Sequence, residues 1–191
     1  MHQYKGRLLV HTGSMFSGKT SSLEREIKRF RIAGYATEVF KPNTDTRFRK
    51  NAITSHDDTH TAAVVVDHIG EILQRVEEYQ PSVIAIDEVQ FLGGEVAEII
   101  EALESLLKEG KTVVVAGLDM DFEGRPFDLV KELMVRADYV DKHHAVCARC
   151  GSDGWISHRI TKEAARVVIG ASETYEPLCR NCYIEVQEGE N

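Results

Sequence analysis

The chain has 191 residues, of which 42% are apolar and 28% charged, and its formal net charge is −8 at pH 7. This composition is typical of a globular domain with a small appendage. The acidic balance argues against broad binding to nucleic acid, which requires clustered lysine and arginine. No segment reaches the roughly 18 apolar residues that a membrane-spanning helix needs. The first residues lack the features of a signal peptide, so we expect a cytoplasmic protein.

Apolar periodicity predicts strands that alternate with helices along most of the chain. The predicted strands are 7–12, 37–41, 63–66, 83–87 and 112–116, and the predicted helices are 18–33, 69–79, 95–109 and 126–137. Such alternation is typical of an α/β fold whose mostly parallel sheet is covered by helices on both faces. Residues 42–62 are predicted to form a long loop, and the final QEGEN a frayed tail. The pattern ends near residue 145, which predicts one domain over 1–144 and a subdomain over 145–191.

Residues 13–20, GSMFSGKT, match the phosphate-loop pattern G-x-x-x-x-G-K-[ST] between a predicted strand and a predicted helix. Gly13 and Gly18 permit a tight turn in which main-chain N–H groups point at phosphate oxygens, and the helix N-terminus adds its positive end. Lys19 is predicted to reach the β- and γ-phosphates, and Thr20 to offer its hydroxyl to Mg²⁺. The motif therefore predicts a site for a nucleoside triphosphate and magnesium.

Two adjacent acids, Asp87 and Glu88, follow a predicted buried strand. Desolvating carboxylates at such a position costs free energy, so their presence there indicates a function. A phosphate loop needs an acid on a neighbouring strand tip for its magnesium shell, and Asp87 is predicted to supply it. Glu88 is then left for general-base chemistry, either on an acceptor hydroxyl, as in a kinase, or on water, as in an ATPase motor. The strand alone does not distinguish these two roles.

Two C-x-x-C pairs contain all four cysteines, which are Cys147, Cys150, Cys179 and Cys182. In a reducing compartment this arrangement indicates a metal site rather than disulfides. Four thiolates satisfy tetrahedral Zn²⁺ and leave no open position, so the zinc is predicted to be structural. The 28 residues between the pairs exceed what a minimal zinc ribbon needs, which predicts a loop whose base is tied by the metal. The nearby His143 and His144 are interpreted as surface residues rather than ligands.

Six segments carry a resemblance to a known family. They are GSMFSGKT, FKPNTDTRF (40–48), DEVQF (87–91), AGLDMDFEGRPF (116–127), CARC and IGASETYEPLCRNC (169–182). In this order, over nearly the whole length, they resemble the zinc-containing P-loop thymidine kinases of bacteria and animals. The resemblance implies a P-loop NTPase-like domain and a zinc-ribbon-like subdomain that carries a substrate-covering lasso loop. It implies Mg-dependent transfer of the γ-phosphoryl group of ATP to the 5′-hydroxyl of thymidine, giving dTMP in pyrimidine deoxynucleoside salvage.

The resemblance also implies roles for single residues. Glu88 is the catalytic base, Arg47 neutralises charge on the transferred group, and Lys19 contacts the phosphates. The implied nucleotide contacts are Gly13, Ser14, Met15, Phe16, Ser17, Gly18, Lys19, Thr20, Asp45, Thr46, Arg47, Asp87, Glu88, Val89 and Gln90, with Thr20 and Asp87 serving Mg²⁺. The implied thymidine contacts are Met15, Glu88, Phe91, Leu118, Phe122, Phe127, Ser157, Arg166, Val167, Val168, Ile169, Gly170 and Tyr175. Core packing is the alternative for Phe122 and Phe127, and the role of the Arg166 side chain is open.

The family further implies a homotetramer and feedback inhibition by dTTP, and it leaves acceptance of deoxyuridine open. Two other hypotheses fit part of the sequence. A P-loop ATPase with a zinc ribbon that acts on nucleic acid would share the phosphate loop, both acids and the zinc, but the acidic net charge and small size disfavour it. A non-catalytic nucleotide-binding regulator would share the phosphate loop, but Glu88 and Arg47 disfavour it.

Overall fold

The computed structural model describes residues 5–43, 52–54, 60–161 and 172–189. The first elements in chain order are β1 (Leu8–Gly13), α1 (Lys19–Ile32), β2 (Thr37–Pro42), β3 (Ala52–Thr54), β4 (His60–Ala62), β5 (Val64–Val66), α2 (Ile69–Tyr79), β6 (Val83–Ile86), α3 (Val96–Lys108), β7 (Thr112–Leu118), α4 (Asp128–Arg136) and β8 (Tyr139–His143). They are followed by β9 (Ala145–Val146), β10 (Asp153–Gly154), β11 (Ile156–Arg159), β12 (Tyr175–Leu178) and α5 (Arg180–Gly189).

A six-stranded parallel sheet forms the centre, with the strand order β5-β2-β6-β7-β1-β8. The inner strands are almost continuously apolar because both of their faces are covered. Helix α1 buries Leu23, Ile27 and Phe30 against one face. Helices α2, α3 and α4 bury their apolar sides against the other face, where the larger core cluster lies. This arrangement confirms the predicted α/β class with helices on both faces.

The parallel direction of the strands brings their carboxyl ends to one edge of the sheet. Strand β1 ends at Gly13, which is in register with Leu118 of β7 and His143 of β8. Strand β6 ends at Ile86, immediately before Asp87. Ligands of open α/β sheets bind outside such carboxyl ends. The fold therefore places the phosphate loop beside the residues that follow β6 and β7.

The C-terminal part contains two short antiparallel pairs, β9 with β10 and β11 with β12, followed by α5. Its small core combines Ile156, Leu178 and Val186 with buried cysteines. Strands β11 and β12 bring together the two ends of the segment 160–174, which contains the predicted lasso loop. The division into 1–144 and 145–191 remains a prediction.

The structure departs from the predicted elements in three places. Strands β3 and β4 form an antiparallel pair within 42–62, where a loop was predicted. Strand β8 was not predicted because it is an edge strand with exposed side chains and no apolar alternation. Helix α5 continues to Gly189, where a frayed tail was predicted, since Val186 anchors its last turns in the small core. Within the described ranges, no helix is both long enough and apolar enough to cross a membrane.

Candidate active site

The loop between β1 and α1 contains residues in the left-handed backbone region at both of its glycines. Gly13 has a φ of 130° and Gly18 a φ of 82°, and Phe16 adopts a φ of 63° although it carries a side chain. Gly13 also lies against β8, because a Cβ atom there would be 2.1 Å from the carbonyl oxygen of His143. This backbone is the kind that turns main-chain N–H groups toward an anion, and the N-terminus of α1 follows directly.

Lys19 is buried at the start of α1, with an exposed fraction of 8%. Its ammonium group donates a hydrogen bond of 2.7 Å to the carbonyl oxygen of Ser14. Burial lowers the pKa of Lys19, while the carboxylates of Glu88, Asp87 and Asp119 oppose that change. The lysine thus faces acids that follow two different strands, β6 and β7.

The Thr20 hydroxyl and the Asp87 carboxylate, both predicted magnesium ligands, lie side by side. Thr20 Oγ1 is 3.3 Å from each of the two carboxylate oxygens. Burial, and after it the charge of Glu88, raises the pKa of Asp87 to about 7. Oxygen donors of this kind are those that Mg²⁺ prefers, and a bound cation stabilises an ionised carboxylate. The donor set therefore fits the predicted ion.

Glu88 is fixed by its backbone and by a neighbouring amide. It adopts φ 49° and ψ 39° immediately before a single 3₁₀ turn, Val89–Phe91. Gln90 donates from Nε2 to Oε2 of Glu88 at 2.5 Å, and its Oε1 accepts the main-chain N–H of Leu118 at 3.0 Å. Because Leu118 offers a donor, the amide must present its NH₂ group to Glu88. Gln90 therefore holds the Glu88 carboxylate relative to the end of β7.

Asp119 is a further acid at this edge that the sequence analysis did not single out. It follows β7 directly, is 7% exposed, and forms a salt bridge of 2.7 Å with Lys142 of β8. It is one of the carboxylates whose charge acts on Lys19. Asp119 lies just beyond the end of a strand, as Asp87 does. The pattern that predicted Asp87 could therefore have predicted Asp119 as well.

Phe91 and Phe127, both predicted to pack around the thymine and sugar, contact one another. Their rings meet edge to face with centroids 6.2 Å apart. Phe127 is 8% exposed and belongs to the larger core cluster, so core packing accounts for most of its surface. Val89, a predicted nucleotide contact, is also fully buried in that cluster, which leaves only its main chain for such a role.

Phe122, predicted to cover a face of the base, is half-buried and lies beneath a guanidinium group. The Arg159 guanidinium carbon is 3.8 Å from the centroid of the Phe122 ring. The same guanidinium donates a 2.9 Å hydrogen bond to the hydroxyl of Tyr175. Arg159 thus joins two residues that were predicted to contact substrate, and its own position was not predicted.

Ser157 connects the C-terminal subdomain to the phosphate loop. Its hydroxyl accepts a 2.8 Å hydrogen bond from the main-chain N–H of Met15. Nearby, the hydroxyl of Ser14 lies 3.4 Å from the carbonyl oxygen of Gly154. The thymidine contact of Ser157 stays a prediction. In the structure its hydroxyl is bonded to Met15 of the phosphate loop.

The cysteine sulfurs form a compact cluster at the other end of the subdomain. All four lie within 4.8 Å of one another, and Cys150 Sγ is 3.6 Å from Cys179 Sγ. Sulfurs bound to one tetrahedral zinc at 2.3 Å would be roughly 3.8 Å apart. Although burial opposes ionisation, main-chain N–H groups lower the pKa of the Cys147 thiol to about 6. The cysteines are unpaired by disulfides and fit Zn²⁺.

Some predicted contacts lie outside the described residues. These are Asp45, Thr46 and Arg47 on the phosphate side, and Arg166, Val167, Val168, Ile169 and Gly170 in the predicted lasso loop. Their roles stay predictions.

Sequence comparison gives one consistent family. A family model described as "Thymidine kinase" matches residues 6–183. The thymidine kinase of Bacteroides thetaiotaomicron is 41% identical over 183 residues, covering 96% of this chain and 89% of the relative. The thymidine kinase of a Rhodothermus species is 41% identical over 178 residues, covering 93% of this chain and 81% of the relative.

Comparison with solved structures supports the fold. The flagellar accessory protein FlaH from Methanocaldococcus jannaschii superposes with a TM-score of 0.51, covering 72% of this chain and 71% of that chain at 11% sequence identity. At this identity the likeness concerns the fold alone, and it agrees with the sheet and helices described above.

The raised pKa of Asp87 predicts a pH dependence of stability. Its folded pKa of about 7 exceeds the ordinary value of 3.8, so the protonated group stabilises the fold and this contribution is lost as pH rises toward 7. In magnesium-free buffer, we expect Asp87→Asn to become increasingly more stable than wild type between about pH 4 and pH 7, by at most about 4 kcal/mol, and the difference to stay constant above pH 7. Urea unfolding at each pH measures the difference.

Asp153→Asn is the matched control, because Asp153 is exposed. It shows the effect of the same chemical change at an exposed position. A difference between Asp87→Asn and wild type that grows with pH no more than that of Asp153→Asn would contradict the raised pKa.

Proposed function

We propose that the chain, which belongs to the thymidine kinase family, transfers the γ-phosphoryl group of ATP to the 5′-hydroxyl of thymidine. The bond between the γ-phosphorus and its bridging oxygen breaks, a bond to the 5′-oxygen forms, and the products are ADP, dTMP and a proton. One observation carries this proposal. At one sheet edge a complete phosphate loop lies beside Asp87 and a second acid, Glu88, that is held by its own hydrogen bond.

The phosphate side is supported by the chain's own groups. Lys19 would contact the β- and γ-phosphates, and the N–H groups of residues 13–20 would surround them. Thr20 and Asp87 would hold Mg²⁺, which when bound neutralises charge on the β- and γ-oxygens. We also propose that Arg47 contacts the transferred group, as the family resemblance implies.

Glu88 is proposed to receive the proton of the 5′-hydroxyl. Its charge acts on Lys19 of the phosphate loop, and its Oε2 is oriented by Gln90. The second carboxylate oxygen can therefore face an acceptor while the first is held. A candidate general base is judged first by its geometry and only then by its pKa, and this fixed geometry meets the first condition.

The pyrimidine would lie between the end of β7 and the C-terminal subdomain. Phe122, backed by the Arg159 guanidinium, offers a rigid aromatic face, and Ser157 fixes the subdomain against Met15. We propose that residues 145–191 act as a zinc-tied subdomain whose lasso loop closes on the base through main-chain groups. A purine would have to displace this backbone and leave amide groups unpaired, which is costly.

Further properties of the family extend the proposal. We expect action in the cytoplasm, assembly as a homotetramer and feedback inhibition by dTTP. Deoxyuridine differs from thymidine by one methyl group, and a pocket distinguishes such substrates only modestly.

Nucleoside-dependent turnover tests the proposed function. ATP consumption and product formation should be measured with no acceptor, with thymidine, with deoxyadenosine and with single-stranded DNA. We expect thymidine alone to yield a phosphorylated product. Stimulation by DNA without phosphorylation of thymidine would support the ATPase hypothesis instead, and equal kcat/KM for deoxyadenosine would contradict the proposed pocket.

Replacement of the proposed base should separate catalysis from binding. Glu88→Gln keeps the volume of the side chain but cannot take a proton. We expect kcat for thymidine phosphorylation to fall by roughly 10²- to 10⁴-fold, with little change in the Kd of ATP or thymidine. Glu95→Gln, at an exposed position before α3, is the control. Phosphorylation by Glu88→Gln at the wild-type rate would exclude Glu88 as the base.

Gln90 should act on rate by positioning Glu88. Gln90→Met retains the length of the side chain but removes both hydrogen bonds, to Glu88 and from Leu118. We expect kcat to fall about tenfold, which corresponds to about 1.4 kcal/mol of transition-state stabilisation, while the Kd of ATP stays the same. If the Kd of ATP rises and kcat does not change, Gln90 is a nucleotide contact and not a positioning residue.

The zinc should support substrate binding more than nucleotide binding. Cys150→Ser leaves an incomplete ligand set, and binding energy at structural zinc sites is largely folding energy. We expect the variant to lose zinc by metal analysis and to bind thymidine much more weakly while retaining ATP. Trp155, the chain's single tryptophan, packs in this subdomain and its emission reports local unfolding. Full thymidine affinity in zinc-free protein would overturn the structural role of the metal.

A further inference from the structure

Three metal-ligating side chains converge at the β8 edge of the sheet, apart from the cysteines and the predicted magnesium ligands. His11 of β1 is in register with Asp141 of β8, and His143 lies two residues further along β8. Residues two apart on a strand project from the same face. The nearest ligand atoms of His11, Asp141 and His143 all lie within 4.8 Å of one another.

The distances within this cluster match those between ligands of one metal ion. His11 Nδ1 is 3.2 Å from His143 Nε2 and 3.5 Å from Asp141 Oδ2. Nitrogen and oxygen ligands bound to tetrahedral zinc at about 2.0–2.1 Å are separated by roughly 3.3 Å. A single proton on His11 Nδ1 cannot form good hydrogen bonds to both His143 Nε2 and Asp141 Oδ2. A cation between the three atoms would bind all of them.

The burial of His11 is a second, independent observation. Its side chain is 3% exposed, and its Nε2 has no hydrogen-bond partner among the described residues. If Nδ1 carries the proton, Nε2 is an unsatisfied acceptor; if Nε2 carries it, Nε2 is an unsatisfied donor. Either tautomer costs stability in this environment. Burial holds the ring with Nδ1 toward Asp141 and His143, and an ion bound at Nδ1 would fix the tautomer that has its proton on Nε2.

We propose that His11, Asp141 and His143 form a second metal site for a divalent transition-metal ion. Two imidazoles and one carboxylate suit zinc and similar ions, and they leave a coordination position for water. The Asp141 side chain is 63% exposed, which gives the ion a path from solvent. The site is distinct in ligand type from the cluster of four thiolates.

The ion would join β8 to β1 directly beside the phosphate loop. Gly13 packs against the main chain of His143, and the next residues lead through β9 to Cys147. Among the described strands, β8 lies at the edge of the sheet and pairs with β1 alone, so a metal bridge to β1 would add a connection at that edge. The expected effect is stabilisation of this edge by added zinc.

Metal stoichiometry of the full chain tests the site. Protein with its cysteines loaded is equilibrated with buffered Zn²⁺, and zinc per chain is measured together with the Tm. We expect about two equivalents in wild type and about one in Asp141→Asn and His143→Gln, with the zinc-dependent rise in Tm lost in both. His144→Gln, an exposed neighbour, is the matched control and should retain both equivalents.

Cobalt distinguishes the two sites by spectrum. Co²⁺ added to zinc-loaded wild type should give weak ligand-field absorption without sulfur charge-transfer bands, and His143→Gln should abolish it. One equivalent of zinc in wild type, or the same stoichiometry in His143→Gln and His144→Gln, would overturn the proposal. Cobalt that gives only sulfur charge-transfer bands would also overturn it, since the ion would then be at the cysteines.

Discussion

The desolvation of charge at the carboxyl edge of the sheet is the constraint on which the site depends. Lys19 and Asp87 are both almost fully buried, and the ordinary charged state of each is disfavoured there. Lys142 pairs with Asp119, while Asp87 and Glu88 both act on the one ammonium of Lys19. Burying carboxylates that are not fully paired is expensive. The proposed divalent cation would offset the negative charge of these carboxylates. The charges at this edge are therefore consistent with the proposed magnesium-bound nucleotide.

Strands β8 and β11 connect this edge of the sheet to the rest of the molecule. On one side β8 contacts β1 through Gly13, and its Lys142 pairs with Asp119. On the other, Met15 donates its N–H to Ser157 of β11 in the C-terminal part of the chain. The backbone that would surround the phosphates is thus bonded to the part of the chain proposed to hold the acceptor. Small shifts of the subdomain would change the distance between the two substrates, and positioning dominates the rate of phosphoryl transfer.

The features that the sequence predicted well are those with local signatures. The phosphate loop and the cysteine pairs are contiguous motifs, and Asp87 follows a recognisable apolar strand, so each could be found without knowledge of the fold. Strand β8 has no alternating apolar pattern by which it could be predicted, because its side chains lie at an exposed edge. The link from Gln90 to Leu118 and the contact of His11 with His143 join residues distant in the chain. Such contacts depend on strand order, which periodicity does not supply.

The conformation of Glu88 bears on how a base can matter in this reaction. A left-handed φ of 49° at a residue with a side chain is strained, and such strain persists only where the surroundings determine it. Here the 3₁₀ turn and the Gln90 amide do so. In a loose transition state the bond from the attacking oxygen to phosphorus is only slightly formed. The hydroxyl proton is therefore not yet strongly acidic, which reduces the benefit of a strong base. In the proposed role of Glu88, a rigidly held carboxylate would also aim the hydroxyl at phosphorus, because a hydrogen bond to a fixed acceptor restricts where the oxygen can lie.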